Sequence, residues 1–114
     1  MNNFERQWKQ VIHFFEQRFT DGEKPQIDTI IFLIGVQELN MVKTKFTKDE
    51  KLNLMHIAIC KLLEPYGYYK FSHFDNDRWP HYNKENDIEE MASQEQEKLI
   101  KKAIINYFDD NKLI

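Results

Sequence analysis

The most apolar stretch of the chain runs from Ile27 to Leu39, IDTIIFLIGVQEL, and its centre from Ile30 to Val36 carries no charged residue. A short apolar run of this kind can be a buried strand or a buried helix, because periodicity alone does not separate the two. The pattern continues for longer than a typical strand. We therefore predict a helix over 27–39 that other elements cover on several sides.

The residues that flank this stretch favour the same interpretation. Pro25 is tolerated in the first turn of a helix, and Asp28 offers a carboxylate to the free amides there. Asn40 tolerates the left-handed conformation that ends many helices. Gly35 costs a helix up to about 1 kcal/mol relative to Ala, and we expect it to mark a close approach of another helix.

Three further segments have apolar residues at helical spacing. Residues 3–19 form an amphipathic pattern that Gly22 is expected to end. Residues 48–63 follow Thr47 and Glu50, which match a capping box, and end before Pro65. In this segment the predicted inward stripe is Leu52, Met55, Ile59 and Leu62, and it is broadened by Leu54, Ala58 and Leu63.

A last helix is predicted over 94–108. It begins at a second capping box, formed by Ser93 and Gln96. Ile100, Ala103, Ile104, Tyr107 and Phe108 are its predicted inward residues.

Residues 66–83, YGYYKFSHFDNDRWPHYN, differ from the helical segments because aromatic residues dominate them. Tyr69, Phe71 and His73 alternate with polar residues, which is typical of a strand. The sequence from Asp75 to Asp77 favours a turn, and residues 79–83 can return as a second strand in which Pro80 requires an edge. The sequence thus predicts a mainly α domain over 1–114, with four helices and a small aromatic β-hairpin between the third and the fourth.

Composition narrows the class of protein. The chain has 114 residues, one cysteine and a net charge of −3, which gives no support to a nucleic-acid binder. Its N-terminus is polar, and no apolar run approaches the roughly 20 residues that span a bilayer. We expect a cytoplasmic protein with no membrane segment. Residues 75–97 hold eight acids and two bases, and this acidic segment is the main compositional indication of a partner.

Four residues form a weak candidate metal set. His56 and Cys60 lie four apart, one turn of a helix, and His73 and His81 could complete a tetrahedral site. No C-x-x-C or H-E-x-x-H motif accompanies them. Cys60 is a poor candidate nucleophile, because the C-terminal end of a helix disfavours a thiolate. No catalytic residue and no cofactor is predicted.

A second alternative is a basic patch at the start of the third helix, formed by Lys43, Lys45, Lys48 and Lys51. It could bind nucleic acid or an acidic partner, but Asp49 and Glu50 dilute its charge. The three glycines of the chain fit no phosphate-binding loop and no nucleophile elbow. Nucleotide-dependent and hydrolase functions are therefore disfavoured.

The segments IDTIIFLIGVQELN, LMHIAICKLLEPYGYY and RWPH resemble the pattern of small bacterial proteins of unknown function. The resemblance covers about residues 27–82. It implies no activity, cofactor or site residue.

The aromatic hairpin is therefore the leading candidate for function. Aromatic residues and Arg are enriched at the centres of protein interfaces. We expect a non-enzymatic module that binds a protein partner or a second copy of itself. The expected surface, with Trp79 as its anchor, is Tyr69, Phe71, Phe74, Arg78, Trp79 and Tyr82. The alternative is a small-molecule or metal site, or an enzyme, with a pocket between hairpin and helices near His56, Cys60, His73 and His81.

Overall fold

A computed structural model of the chain describes residues 2–18, 24–41, 43 and 45–114. Within these residues the chain is mainly helical and forms, in order, α1 (Asn3–Arg18), α2 (Ile27–Glu38), α3 (Lys48–Leu63), β1 (Tyr69–Phe74), β2 (Pro80–Lys84) and α4 (Ser93–Asp110). A 3-10 turn, Glu64–Tyr66, joins α3 to the hairpin. The predicted fold class, with an antiparallel hairpin between the third and fourth helices, is confirmed. The predicted cap at Gly22 lies outside the described residues.

The apolar stretch is a helix, and it lies in the core as predicted. Ile30 and Ile34 of α2 are at most 2% exposed. They belong to a cluster to which α1, α3 and α4 also contribute buried side chains. Gly35 lies tightly against α3, since a β-carbon there would lie 2.3 Å from the carbonyl oxygen of Leu54. The predicted role of Gly35 is confirmed.

The ends of α2 agree with the prediction only in part. Asn40 takes the left-handed conformation, with φ of 52°. The N-cap, however, is Gln26, and no side chain caps it. Pro25 is buried just before the helix rather than in its first turn. Asp28 lies within the first turn instead of at the N-cap, so its predicted capping role is wrong.

Helix α3 begins and ends as predicted, but its buried face is different. Thr47 and Glu50 form the capping box. The predicted stripe is wrong at Leu52, which is 55% exposed, and it misses Ile57, which is buried, whereas Leu54 is buried as predicted. The reason is the contact of Gly35 with the backbone of Leu54, which turns the Leu54 side of α3 towards α2.

Helix α4 begins one residue earlier than expected. Its N-cap is Ala92, without a side-chain hydrogen bond, so the predicted capping box at Ser93 is wrong. The side-chain amide of Gln96 instead donates from Nε2 to the carbonyl oxygen of Met91 over 2.9 Å. Among the described residues every helix is too short or too polar to cross a membrane.

Candidate functional site

The hairpin is closed by a turn that Asp75 organises. One carboxylate oxygen of Asp75 accepts the amide protons of Asp77 and Trp79, each over 2.9 Å. The amide of Arg78 donates to the carbonyl oxygen of Asp75. Arg78 takes the left-handed position of the turn, with φ of 64°, a conformation in which residues other than Gly are uncommon.

A β-bulge in β1 changes which side chains share a face. Phe71 pairs with Tyr82, but the next pair is His73 with His81, so Ser72 is an extra residue on β1. Beyond a bulge the alternation of side chains shifts by one position. Phe74 therefore joins the face of Phe71, where the two ring centroids are 4.9 Å apart. The regular alternation predicted for Tyr69, Phe71 and His73 is broken at His73.

The bulged hairpin and the helices enclose an open apolar groove of about 320 Å³. We call it the hairpin groove; its lining residues are Glu38, Leu39, Ile57, Lys61, Glu64, Phe71, Phe74, Pro80 and Tyr82. The ring of Phe71 also contacts that of Tyr82, with centroids 5.7 Å apart. Phe71 is 36% exposed and Phe74 is 63% exposed. The groove thus presents aromatic surface to solvent.

Two carboxylates give the hairpin groove a negative character, and both have partners within the fold. Glu64 accepts the amide proton of Phe71 over 2.7 Å, which fastens the outer edge of β1 to the end of α3. Glu38 accepts the hydroxyl proton of Tyr107 over 2.8 Å, and Lys61 lies 3.9 Å from its other oxygen. Burial, and then the charges of Glu64 and Glu38, raise the pKa of Tyr82 to about 12. A cation placed in the groove would meet a favourable field.

The six residues predicted as an interaction surface divide between different parts of the hairpin. Phe71, Phe74 and Tyr82 line the hairpin groove. Tyr69 packs against the helical core, with its ring edge-on to that of His56 at 6.2 Å. Arg78 is exposed in the turn, and Trp79 is half-buried beside it without lining the groove. Pro80, Leu39 and Ile57 are groove residues that the sequence did not indicate, because they meet only in the folded chain.

The four candidate metal ligands come together as two pairs. His56 Nε2 lies 3.6 Å from the sulfur of Cys60 on α3. His73 and His81 stack across the two strands. None of the four lines the hairpin groove. Across the described ranges, no three His, Cys, Asp or Glu side chains form a group that could hold a metal ion.

The environment of Cys60 opposes thiolate formation. Its side chain is 1% exposed. Burial, followed by the charge of Glu64, raises its pKa to about 11. A thiol in this state is a poor nucleophile and a poor metal ligand at neutral pH.

The lysines before and within α3 are partly engaged. Lys43 forms an ion pair with Glu50 and lies over the ring of Phe46 at 5.2 Å. Lys45, Lys48 and Lys51 are exposed. The carboxylate of Glu50, which also caps α3, therefore neutralises part of the positive charge of this patch.

Comparison of the chain with protein-family models, with curated proteins and with solved structures finds no match.

Proposed function

We propose that the chain is a non-enzymatic interaction module that holds an apolar side chain of a partner protein in the hairpin groove. The observation that carries the proposal is Phe74, which is 63% exposed in a groove that is also lined by other apolar residues. Full burial of a Phe side chain gains about 1.5–3 kcal/mol. Phe71 and Tyr82 beside it give the partner a rigid aromatic surface to pack against.

The charges around the groove favour a basic partner. Glu38 and Glu64 outnumber the single ammonium of Lys61 among the lining residues. The turn next to the groove carries Asp75 and Asp77, and residues 75–97 have a large excess of acids. Complementary charge at the rim of an interface speeds association and selects partners. The expected partner segment carries an aromatic or aliphatic residue flanked by Lys or Arg.

A small molecule is less well supported as the occupant. At about 320 Å³ the groove is near the lower limit of small-molecule pockets, roughly 300–1,000 Å³. Glu64 and Glu38 are already hydrogen-bonded to the fold, which leaves neither of them poised for acid–base chemistry. A peptide segment that reaches into an open groove from solvent requires neither enclosure nor reactive groups.

Selection from a phage-displayed random peptide library tests this function. The immobilised chain should retain peptides with an aromatic or aliphatic residue next to Lys or Arg. The Phe74→Ala variant, screened in parallel, should lose them. Absence of enrichment, or the same peptides on both proteins, would contradict the proposal.

Sedimentation velocity tests whether another copy of the chain, rather than a different protein, occupies the hairpin groove. We expect a monomer at all concentrations. A dimer that dissociates in the Phe74→Ala variant would instead assign the hairpin groove to self-association.

A further inference from the structure

A second cavity adjoins the hairpin groove, on the side of the fold where three helices end. It has a volume of about 420 Å³, and Glu38, Lys61 and Glu64 line both this cavity and the groove. The rest of its lining comes from the end of α3, the 3-10 turn and the C-terminal part of α4. We call it the helix-end pocket. Because the two cavities share these side chains, one ligand can contact both.

The backbone gives the helix-end pocket a negative field. Helix α2 ends at Glu38, α3 at Leu63 and α4 at Asp110, and residues at or next to each of these ends line the pocket. The C-terminus of a helix carries about half a negative charge, which a nearby Lys, Arg or His can offset. The last turns of α2 and α4 contain no basic residue, and that of α3 contains Lys61. A cation from outside the chain would therefore be favoured here.

Carboxylates strengthen this field. Glu38, Glu64 and Asp110 line the pocket and outnumber the single ammonium of Lys61 among the described lining residues. That ammonium lies 3.9 Å from the nearer carboxylate oxygen of Glu38, which makes it a loose ion pair. Asp110 is exposed, and its carboxylate has no hydrogen-bond or ion-pair partner within the described part of the chain. Asp110 thus offers a free acceptor at the end of α4.

Two side-chain amides add neutral acceptors to the pocket. The side-chain nitrogen of Asn111 donates to the carbonyl oxygen of Tyr107 over 2.7 Å. The side-chain nitrogen of Asn106 donates to the hydroxyl of Tyr66. Each amide keeps its own carbonyl oxygen as an acceptor. Carboxylate and carbonyl oxygens are the partners that a guanidinium requires, since it has five N–H donors and no acceptor.

The apolar lining of the pocket suits the rest of an arginine side chain. Leu62 and Ala103 are buried residues of this lining, and Pro65 and Tyr66 are more exposed. Arginine packs its methylene stem along apolar surface while its charged end reaches polar groups. Its planar guanidinium also stacks on aromatic rings such as that of Tyr66.

We propose that the helix-end pocket binds an arginine side chain of the same partner segment whose apolar side chain occupies the hairpin groove. The inference rests on the proposed function for the identity of that segment. Arginine fits better than lysine, because the acceptors come from the ends of three helices. A guanidinium presents its donors in several directions, whereas an ammonium is a compact point charge.

Titration of the isotope-labelled chain with N-acetyl-arginine N-methylamide, followed by NMR, tests the pocket without a peptide. We expect saturable shifts of the side-chain amide signals of Asn106 and Asn111, with a Kd in the millimolar range. The citrulline analogue has nearly the same shape but no charge, and it should give no saturable shift there. Absence of saturable shifts with the arginine probe, or equal shifts with both probes, would overturn the proposal.

Asp110→Asn and Asp109→Asn form a matched pair. Both remove one negative charge at the C-terminal end of α4, but Asp109 does not line the pocket. Asp110→Asn should raise the Kd of the arginine probe at least about threefold, as expected for loss of a partly exposed charge pair. Asp109→Asn should leave the Kd unchanged. Equal effects of the two substitutions would overturn the proposal. Circular dichroism of each variant checks that the fold is retained.

The two proposals can fail separately. Phe74→Ala should bind the arginine probe as the unmodified chain does, because Phe74 lies outside the helix-end pocket. If selected peptides lose affinity in Phe74→Ala but keep it when their arginine is replaced by citrulline, the inference fails and the proposed function stands. Binding of the arginine probe without any selected peptide would contradict the proposed function, and with it the shared partner segment, but not the arginine pocket.

Discussion

At the scale of single residues, burial decides what the chemistry-bearing side chains can do. Cys60 and His56 share a face of α3, as their spacing of four predicts. The sequence does not tell how deep that face lies, because depth depends on the elements packed against it. The cysteine is buried and the histidine is exposed. The spacing of four residues could serve a metal site, but here it places Cys60 in the core and His56 at the surface beside it.

Cys60 should therefore be inert in the folded chain. Labelling by a thiol reagent at pH 8 should be at least roughly 100-fold slower in the native protein than in urea, because reaction requires an opening of the core. The absorbance of the thiolate that the reagent releases reports the reaction of Cys60 alone, since the chain has no other cysteine. Labelling of the folded protein at the unfolded rate would contradict the buried position.

The raised pKa of Cys60 should also make the fold less stable at alkaline pH. Its pKa is about 11 in the folded chain against an ordinary value of 9.0. The thiol is therefore neutral in both states below pH 9, and above pH 9 ionisation favours the unfolded chain. The free energy of unfolding should decline between pH 9 and 11. In a Cys60→Ala variant the decline over this range, followed by urea denaturation, should be shallower.

At the scale of elements, the contact of α2 with α3 at Gly35 constrains how the two helices pack. Gly35 interrupts an apolar helix at an energetic cost, and this cost indicated a close approach from the sequence alone. The consequence for α3 could not be anticipated, because the stripe through Leu52 is as regular as the face that is buried. Only the position of α2 leaves Leu52 exposed and buries Ile57.

Replacement of Gly35 by Ala tests this contact. A β-carbon would lie 2.3 Å from the carbonyl oxygen of Leu54 and 2.8 Å from its carbonyl carbon. Overpacking of this kind costs about 1–3 kcal/mol, which outweighs the gain of up to about 1 kcal/mol from helix propensity. Urea denaturation should show a net loss of stability.

Gln37→Ala is the matched control for that measurement, because Gln37 is exposed on the same helix. It should change the free energy of unfolding by less than about 0.5 kcal/mol. A Gly35→Ala variant as stable as the control would contradict the close contact.

The hairpin shows a second limit of sequence-based prediction at this scale. Its strands and its turn follow from alternation, Pro80 and the residues of the Asp75 turn. The bulge at Ser72 does not, because it depends on how the two strands pair and how they pack on α3. One extra residue moves Phe74 into the hairpin groove and His73 out to face His81. The hairpin groove therefore depends on a feature that alternation alone did not predict.

At the scale of the whole molecule, the helices supply a core and the hairpin supplies a surface. The chain closes its core with α1 to α4 and fastens β1 to the end of α3 through Glu64. The aromatic excess and the acidic segment pointed to the hairpin from the sequence. The residues that line the groove could not be predicted from the sequence, because Leu39 at the end of α2 and Ile57 in α3 are distant in sequence from the hairpin. Phe74 is the apolar groove residue with the largest exposed fraction, whereas Trp79, the predicted anchor, lies outside the groove.

The most direct test of the proposed function compares two exposed apolar side chains. Phe74 is 63% exposed in the hairpin groove, and Leu52 is 55% exposed on α3 outside its lining. Calorimetric titration with the best peptide from the selection should give a Kd at least about tenfold higher for Phe74→Ala, as for a residue at the centre of an interface. Leu52→Ala should bind within twofold of the unmodified chain. Equal affinities for all three proteins, or equal losses in both variants, would contradict recognition through the hairpin groove.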